Sequence, residues 1–221
     1  IHYPAGTPVA EEIRWHGADA EFRWHQLRRF FGTAPADRIR VFYFKDAAQK
    51  RRWYGAARVD MAKPWSLETF LTARSFPHRV LRHELAHVFA AVFGDRAFGV
   101  SLRWHRLFGF LPFPMVNPGL VEGAAVAADW KAYGQLTPHQ WARAMLELRR
   151  MPPLRAVMGF GFFGSASSRS YTAAGSFCRF LVSRYGTRAF RQVYRSGGDF
   201  KAAYGRSLGQ LVADGLGRAV D

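Results

Sequence analysis

Cysteine is almost missing from this chain. The 221 residues hold one, Cys178, so no internal disulfide can form and the redox compartment is left open. Its setting, Ser176-Phe177-Cys178-Arg179-Phe180-Leu181, reads as packed helix and predicts a buried structural thiol instead of a catalytic one. Acidic residues are also scarce: 16 Asp and Glu face 32 Lys and Arg, for a net charge of +16 and an isoelectric point near 11.0. Such a balance can serve nucleic acid or anionic membranes. The cations are mostly Arg, however, and they are scattered, with only short groups such as Lys50-Arg51-Arg52 and Arg149-Arg150. There is no C2H2 spacing, no RRM-type aromatic signature and no basic recognition helix, so no specific nucleic-acid partner is expected. Long apolar runs are absent too. The longest uncharged stretch, Leu107 to Val121, is broken by Pro112, Pro114 and Pro118, which excludes a spanning helix there and predicts a soluble piece. The chain opens at Ile1 without an initiator Met or a charged-then-apolar leader, and so reads as an excised or processed piece.

What is present is core-forming material. Hydrophobic residues make up 49% of the chain, with 20 Phe, 8 Tyr and 7 Trp, enough for one large domain. Disordered, collagen-like and disulfide-scaffold classes are excluded on these numbers. The apolar spacing from Glu11 to Phe31 predicts a helix stopped by Gly32, and Arg38 to Phe44 reads as a strand. Asp46 to Tyr54 reads as a short helix ending at Gly55, and Ser66 to Thr72 as a second strand. A helix is expected from near Pro77 to Gly94, followed by a long structured loop or insertion, Asp95 to Pro118. Further helices are expected from Gly119 to Tyr133, from Thr137 with Pro138 in its first turn, from Tyr171 to Tyr185, from Thr187 to Arg195 and from Ser207 to Val220. Met151 to Ser168 reads as loop. No repeat of fixed period occurs. The expected fold class is therefore α+β: a small N-terminal lobe with a short sheet, about residues 1–75, and a mostly helical lobe, about residues 76–221, in one domain.

The segment that carries chemistry is His83-Glu84-Leu85-Ala86-His87. Residues four apart lie one turn apart on one helix face, so both imidazoles can reach one metal ion, with Glu84 beside them as a candidate base. This is the H-E-x-x-H pattern of zinc hydrolases. A catalytic zinc takes three protein ligands and keeps one position for water. No His follows closely in a G-x-x-H arrangement, which argues against the metzincin pattern. Glu122, in Leu120-Val121-Glu122-Gly123-Ala124-Ala125, is the candidate third ligand. It is one of only 7 Glu, and it stands in an apolar stretch whose small residues let helix backbones approach closely. Asp129, seven residues later on the same helix face, is the candidate partner for the second ring nitrogen of a metal-bound His. His78 and His105 lack ligand spacing and are expected to be ordinary surface or core residues.

These residues resemble the gluzincin metallopeptidases, in particular the catalytic domain shared by thermolysin-like and membrane-alanyl-aminopeptidase-like enzymes. There, the two His of H-E-x-x-H and a Glu on a following helix bind zinc. A second likeness is Tyr171-Thr172-Ala173-Ala174-Gly175 followed by Phe180-Leu181, Gly186 and Phe190, similar to an aminopeptidase segment whose Tyr hydroxyl stabilises the oxyanion; the resemblance implies that role for Tyr171. The likeness spans roughly residues 66–204. The 34 residues between His87 and Glu122 are more than the aminopeptidases have, and no G-x-M-E-N exopeptidase motif occurs; Asp60-Met61-Ala62-Lys63-Pro64 stands near its place without the Glu.

The resemblance implies a zincin-like fold, one zinc per chain held by His83, His87 and Glu122, Glu84 as general base, and a peptide or protein substrate. It also leans toward an extracytoplasmic or membrane-tethered setting. The competing expectation is a non-catalytic domain that retains zinc as a binding or scaffold module of a membrane-associated protein. The aromatic stretches Phe108 to Val116 and Phe160 to Phe163 are expected to be mostly core, with a substrate cleft or a membrane surface as the other readings.

Overall fold

Helix-cap signals at both ends of the N-terminal segments set the first elements. The computed structural model of the chain describes residues 1–107, 110–132, 134–164 and 167–218. Thr7 caps α1 (Pro8–Glu11), and α2 (Ile13–Phe31) ends at Gly32, whose φ of 66° closes it in the left-handed conformation. Then come β1 (Arg40–Phe44) and α3 (Ala47–Tyr54), capped by the Asp46 carboxylate and closed at Gly55. β2 (Met61–Lys63), a 3-10 turn (Pro64–Ser66), β3 (Glu68–Thr72) and α4 (Leu81–Ala90) complete a compact unit, Ile1–Val92. The protein is α+β.

The sheet has the order β1-β3-β2, with β1 and β3 parallel and β2 antiparallel to β3. As the central strand, β3 buries Thr69, Phe70 and Leu71 in succession instead of alternating. Phe70 stacks on Phe42 and on Tyr54 of α3, while α4 also packs against β3 and against α2. Leu81, Leu85, Val88 and Phe89 form the buried stripe of α4. Lys50 is no part of a surface basic group. It is fully buried, and its Nζ donates to Asp60 at 2.7 Å and to the Thr72 hydroxyl at 2.9 Å. Asp60, just before β2, also accepts the Thr72 N–H at 2.8 Å, so one carboxylate joins α3 to the sheet.

The helix carrying the histidine pair starts at Leu81, not near Pro77. The preceding residues turn so that His78 reaches back to the sheet, its Nε2–H donating to the Thr72 carbonyl at 3.0 Å. His78 is 5% exposed, and burial, partly offset by that carbonyl and by Asp60, pushes its pKa below the ordinary value. His16, fully buried across the Tyr43 ring from His78, is lowered by burial as well, against the pull of Glu12 and Asp19. Above about pH 6.5 both rings are neutral in either state; below it the unfolded chain binds protons that the native one refuses, so stability is lost as the pH falls. The thermal midpoint is expected to drop between about pH 7 and pH 5, and less steeply in His78→Gln. A midpoint independent of pH over that range would rule the effect out.

The second unit, Phe93–Asp221, opens with a β-hairpin where the sequence predicts a loop: β4 (Leu102–Leu107) and β5 (Leu111–Val116) pair antiparallel. α5 (Pro118–Asp129) follows, its N-terminus capped by Asn117, whose carbonyl oxygen accepts the Leu120 N–H. α6 (Pro138–Glu147) begins with a full capping box between Thr137 and Gln140. The expected loop from Met151 is partly helical, with α7 (Leu154–Val157) and a 3-10 segment (Phe160–Gly164). α8 (Ser167–Arg195) runs on both sides of a break at Gly186, whose φ of 81° and ψ of 165° are not helical, at the place where the sequence separates two helices. α9 (Phe200–Tyr204) and α10 (Leu208–Arg218) end the description.

α5 and α8 form the packing centre of this unit. A Cβ on Gly123 would stand 2.7 Å from Cys178 Sγ and 2.9 Å from the Ala174 carbonyl oxygen, so only glycine permits the crossing. Cys178 is fully buried there, and burial raises its thiol pKa, as expected of a structural thiol. No helix among the described residues is long and apolar enough to cross a membrane. Among the described Phe side chains of the two aromatic stretches, the expected core character holds for Phe162, while Phe110, Phe113 and Phe163 are exposed. Phe108, Gly109, Tyr133, Ser165, Ala166 and Val220, and the Phe160 side chain, lie outside the described residues.

Candidate metal centre

The histidine pair is positioned by the buried stripe of α4. With Leu81, Leu85 and Phe89 fixed in the N-terminal unit, His83 and His87 share an adjacent face one turn apart. Their Nε2 atoms stand 3.3 Å apart, with ring centroids 4.9 Å apart and planes inclined by 82°. Two nitrogens bound at about 2.0–2.1 Å to one tetrahedral ion stand roughly 3.3–3.4 Å apart. The pair thus has the spacing of two corners of a zinc tetrahedron, and 3.3 Å is long for a hydrogen bond between nitrogens.

Glu84 is 6% exposed and lies in the first turn of α4, where the helix dipole favours negative charge. His87 is 9% exposed and His83 half-buried. A low-dielectric setting of this kind strengthens every charge interaction a carboxylate makes.

In the C-terminal unit, Glu122 is half-buried near the start of α5, immediately before the Gly123 crossing. Its charge is felt by the buried phenol of Tyr194, whose pKa is raised first by burial and then by Glu122. The N-terminal unit thus presents two imidazole nitrogens at ligand spacing, and the C-terminal unit presents a half-buried carboxylate. Two imidazoles and one carboxylate are a donor set that suits zinc with a position left for water. The residues present therefore fit the ion that the sequence implies.

The remaining predicted residues are placed as follows. Asp129 is the half-buried last residue of α5, about 10.5 Å along the helix axis from Glu122. Tyr171 is half-buried in the first turns of α8, its ring edge-on to Phe162 at 5.0 Å. His105 lies in β4.

One feature is not legible in the sequence at all. A cavity of about 520 Å³ in the C-terminal unit is walled by α6, α7, α8 and Gly215 of α10, with Leu146, Leu154, Phe177 and Phe180 among its apolar surfaces. His139 Nδ1 and Ser176 Oγ meet at its edge, 2.7 Å apart, and burial followed by the Arg179 cation lowers the His139 pKa. No carboxylate and none of the six predicted site residues lines it. A Ser-His contact without an orienting carboxylate lacks the third member of a nucleophilic triad, so the cavity does not displace the His and Glu cluster as the candidate centre. Comparison of the chain with protein-family models, with curated proteins and with solved structures finds no match.

Proposed function

We propose that the chain is a zinc-dependent peptide-bond hydrolase of gluzincin type. The observation that carries this reading is the 3.3 Å spacing of the His83 and His87 Nε2 atoms on α4, with Glu84 next to the first of them in the H-E-x-x-H order. His83 and His87 would hold the ion through their Nε2 atoms, and Glu122 would supply the third bond and offset part of its charge. Zinc, when bound in such a set, supplies a Lewis acid and brings the pKa of a water ligand to about 7.

The other roles belong to the chain. Glu84 accepts the proton of the attacking water and hands it to the leaving amine. The Tyr171 hydroxyl donates to the developing oxyanion. Asp129 is the proposed acceptor for the outer ring N–H of a ligating His, fixing its tautomer.

Metal analysis of the purified chain together with cleavage of a mixed peptide library tests the proposal. One zinc per chain and measurable cleavage are expected, with Tyr171→Phe keeping its zinc while kcat falls about 10²-fold or more. Stoichiometric zinc without cleavage of any peptide would favour the non-catalytic binding or scaffold role. An unchanged kcat in Tyr171→Phe would remove that hydroxyl from the chemistry.

A further inference from the structure

The hairpin β4–β5 exposes several large apolar side chains and is not used by the proposed chemistry. It is rooted firmly. Ser101 and Leu102 are buried, the Asn117 N–H donates to the Ser101 carbonyl at 2.9 Å, and the backbone of Leu102 and Arg103 passes so close to Gly197 that a Cβ there would lie 2.6 Å from it. From that root the two strands rise for roughly 17 Å. Phe110 is 77% exposed at the turn, Leu111 50%, Phe113 47%, and Trp104 51%.

Residues directly opposite in an antiparallel pair share a face. One face of the hairpin therefore carries Trp104, Arg106, Pro112, Pro114 and Val116, and the other Arg103, His105, Leu111, Phe113 and Met115. Both faces mix large apolar side chains with arginine, and β5 has no buried residue. A two-stranded hairpin alone in water is marginal, so an apolar surface on both of its sides needs a covering.

Three observations decide what covers it. Apolar side chains stand on both faces, and a bilayer interface surrounds a hairpin tip on all sides. Pro112 and Pro114 lack N–H groups and can stand only with their nitrogens on the outer edge of β5, so that edge cannot accept an added strand from a partner. Finally, no acidic residue occurs between Asp95 and Glu122, while Arg96, Arg103 and Arg106 do, in a chain of net charge +16.

We propose that the β4–β5 hairpin docks the C-terminal unit on a membrane surface bearing anionic lipid headgroups. Phe110, Leu111 and Phe113 enter the headgroup and acyl boundary, and Trp104 sits at the interface where its indole N–H, which donates to Asp95 at 3.2 Å, stays satisfied. Arg103 and Arg106 meet the anionic headgroups. The outer edges of the two strands, which pair with no other strand among the described residues, confine the insertion to about 5–10 Å, since bare backbone groups are not carried into the hydrocarbon core.

Co-sedimentation of the full chain with phosphatidylcholine vesicles containing roughly a third phosphatidylglycerol, against vesicles of phosphatidylcholine alone, tests this. Binding to the anionic vesicles is expected, weakened by salt. The double variant Phe110→Asp/Phe113→Asp should reduce partitioning at least tenfold with a thermal midpoint little changed, because neither ring is buried. Arg103→Gln and Arg106→Gln should each cost about fivefold. Equal binding to both vesicle types would overturn the headgroup selectivity. Wild-type binding by the Phe110→Asp/Phe113→Asp chain would assign the affinity to overall charge and overturn the role of the hairpin. Absence of vesicle binding, with a dimer that the same double variant dissolves, would make the surface a contact between copies of this chain instead.

Discussion

Glu84→Gln is expected to keep one zinc per chain and to lose peptide hydrolysis by about 10²–10⁴-fold, the range a positioned general base contributes. The substitution preserves the volume and the hydrogen-bonding reach of a side chain that is 6% exposed in the first turn of α4, so the helix and its histidines stay in place. What it removes is proton affinity. A neutral amide cannot take the proton of the attacking water, and therefore cannot deliver one to the leaving amine. In kinetic terms the interaction is made only in the transition state, so kcat and kcat/KM should fall together while KM changes little. Zinc content, measured on the same preparation, separates this outcome from a damaged site. Hydrolysis at the wild-type rate with full zinc would dismiss Glu84 as the base; joint loss of zinc and activity would show that its charge is needed to hold the ion.

The parts of the fold that the sequence discloses are those written in local signals. Gly32 and Gly55 close helices in the left-handed conformation, Asp46 and Thr137 cap the helices that follow them, and Gly186 breaks α8 at the predicted place. What stays hidden depends on distant partners. Lys50 looks like one of three surface cations until Asp60 and Thr72, 10 and 22 residues away, close around it. The start of α4 is displaced to Leu81 because His78 bonds to the sheet instead of entering the helix. The hairpin escapes a composition-based reading because prolines and aromatics look like loop, yet prolines are admissible on the outer edge of a strand pair. The same reasoning applies to the candidate centre. His83 and His87 are a local pattern, i and i+4, and the helix brings their nitrogens to 3.3 Å as that spacing dictates. Glu122 is proposed for a different reason: a carboxylate in an apolar, small-residue stretch has to be accommodated by something. Nothing in the sequence marks the apolar cavity beside His139, whose walls come from separate helices.

Glu122→Gln is the sharper test of the ligand set, because it removes a formal charge from the ion while leaving the helix crossing at Gly123 untouched. An outer partner of a metal-bound residue is worth 10–100-fold in metal affinity, and direct loss of a ligand should exceed that, so zinc binding is expected to weaken by more than about 10²-fold. Stability provides a readout independent of activity. A chain that binds zinc only when folded gains about 2.7 kcal/mol at a free concentration one hundred times its Kd, which for a domain of this size raises the midpoint by roughly 5–10 °C. The wild type should show that rise on adding zinc, and Glu122→Gln should not, while the two melt alike in a chelator. Equal melting without metal matters, since the half-buried Glu122 acts on the Tyr194 phenol and its replacement could alter packing directly. His83→Ala serves as the reference from the other side of the cluster. If Glu122→Gln keeps the full zinc-induced rise and His83→Ala loses it, the carboxylate is not a ligand and some other group completes the set. If both keep it, zinc binds elsewhere and the hydrolase reading falls with the cluster.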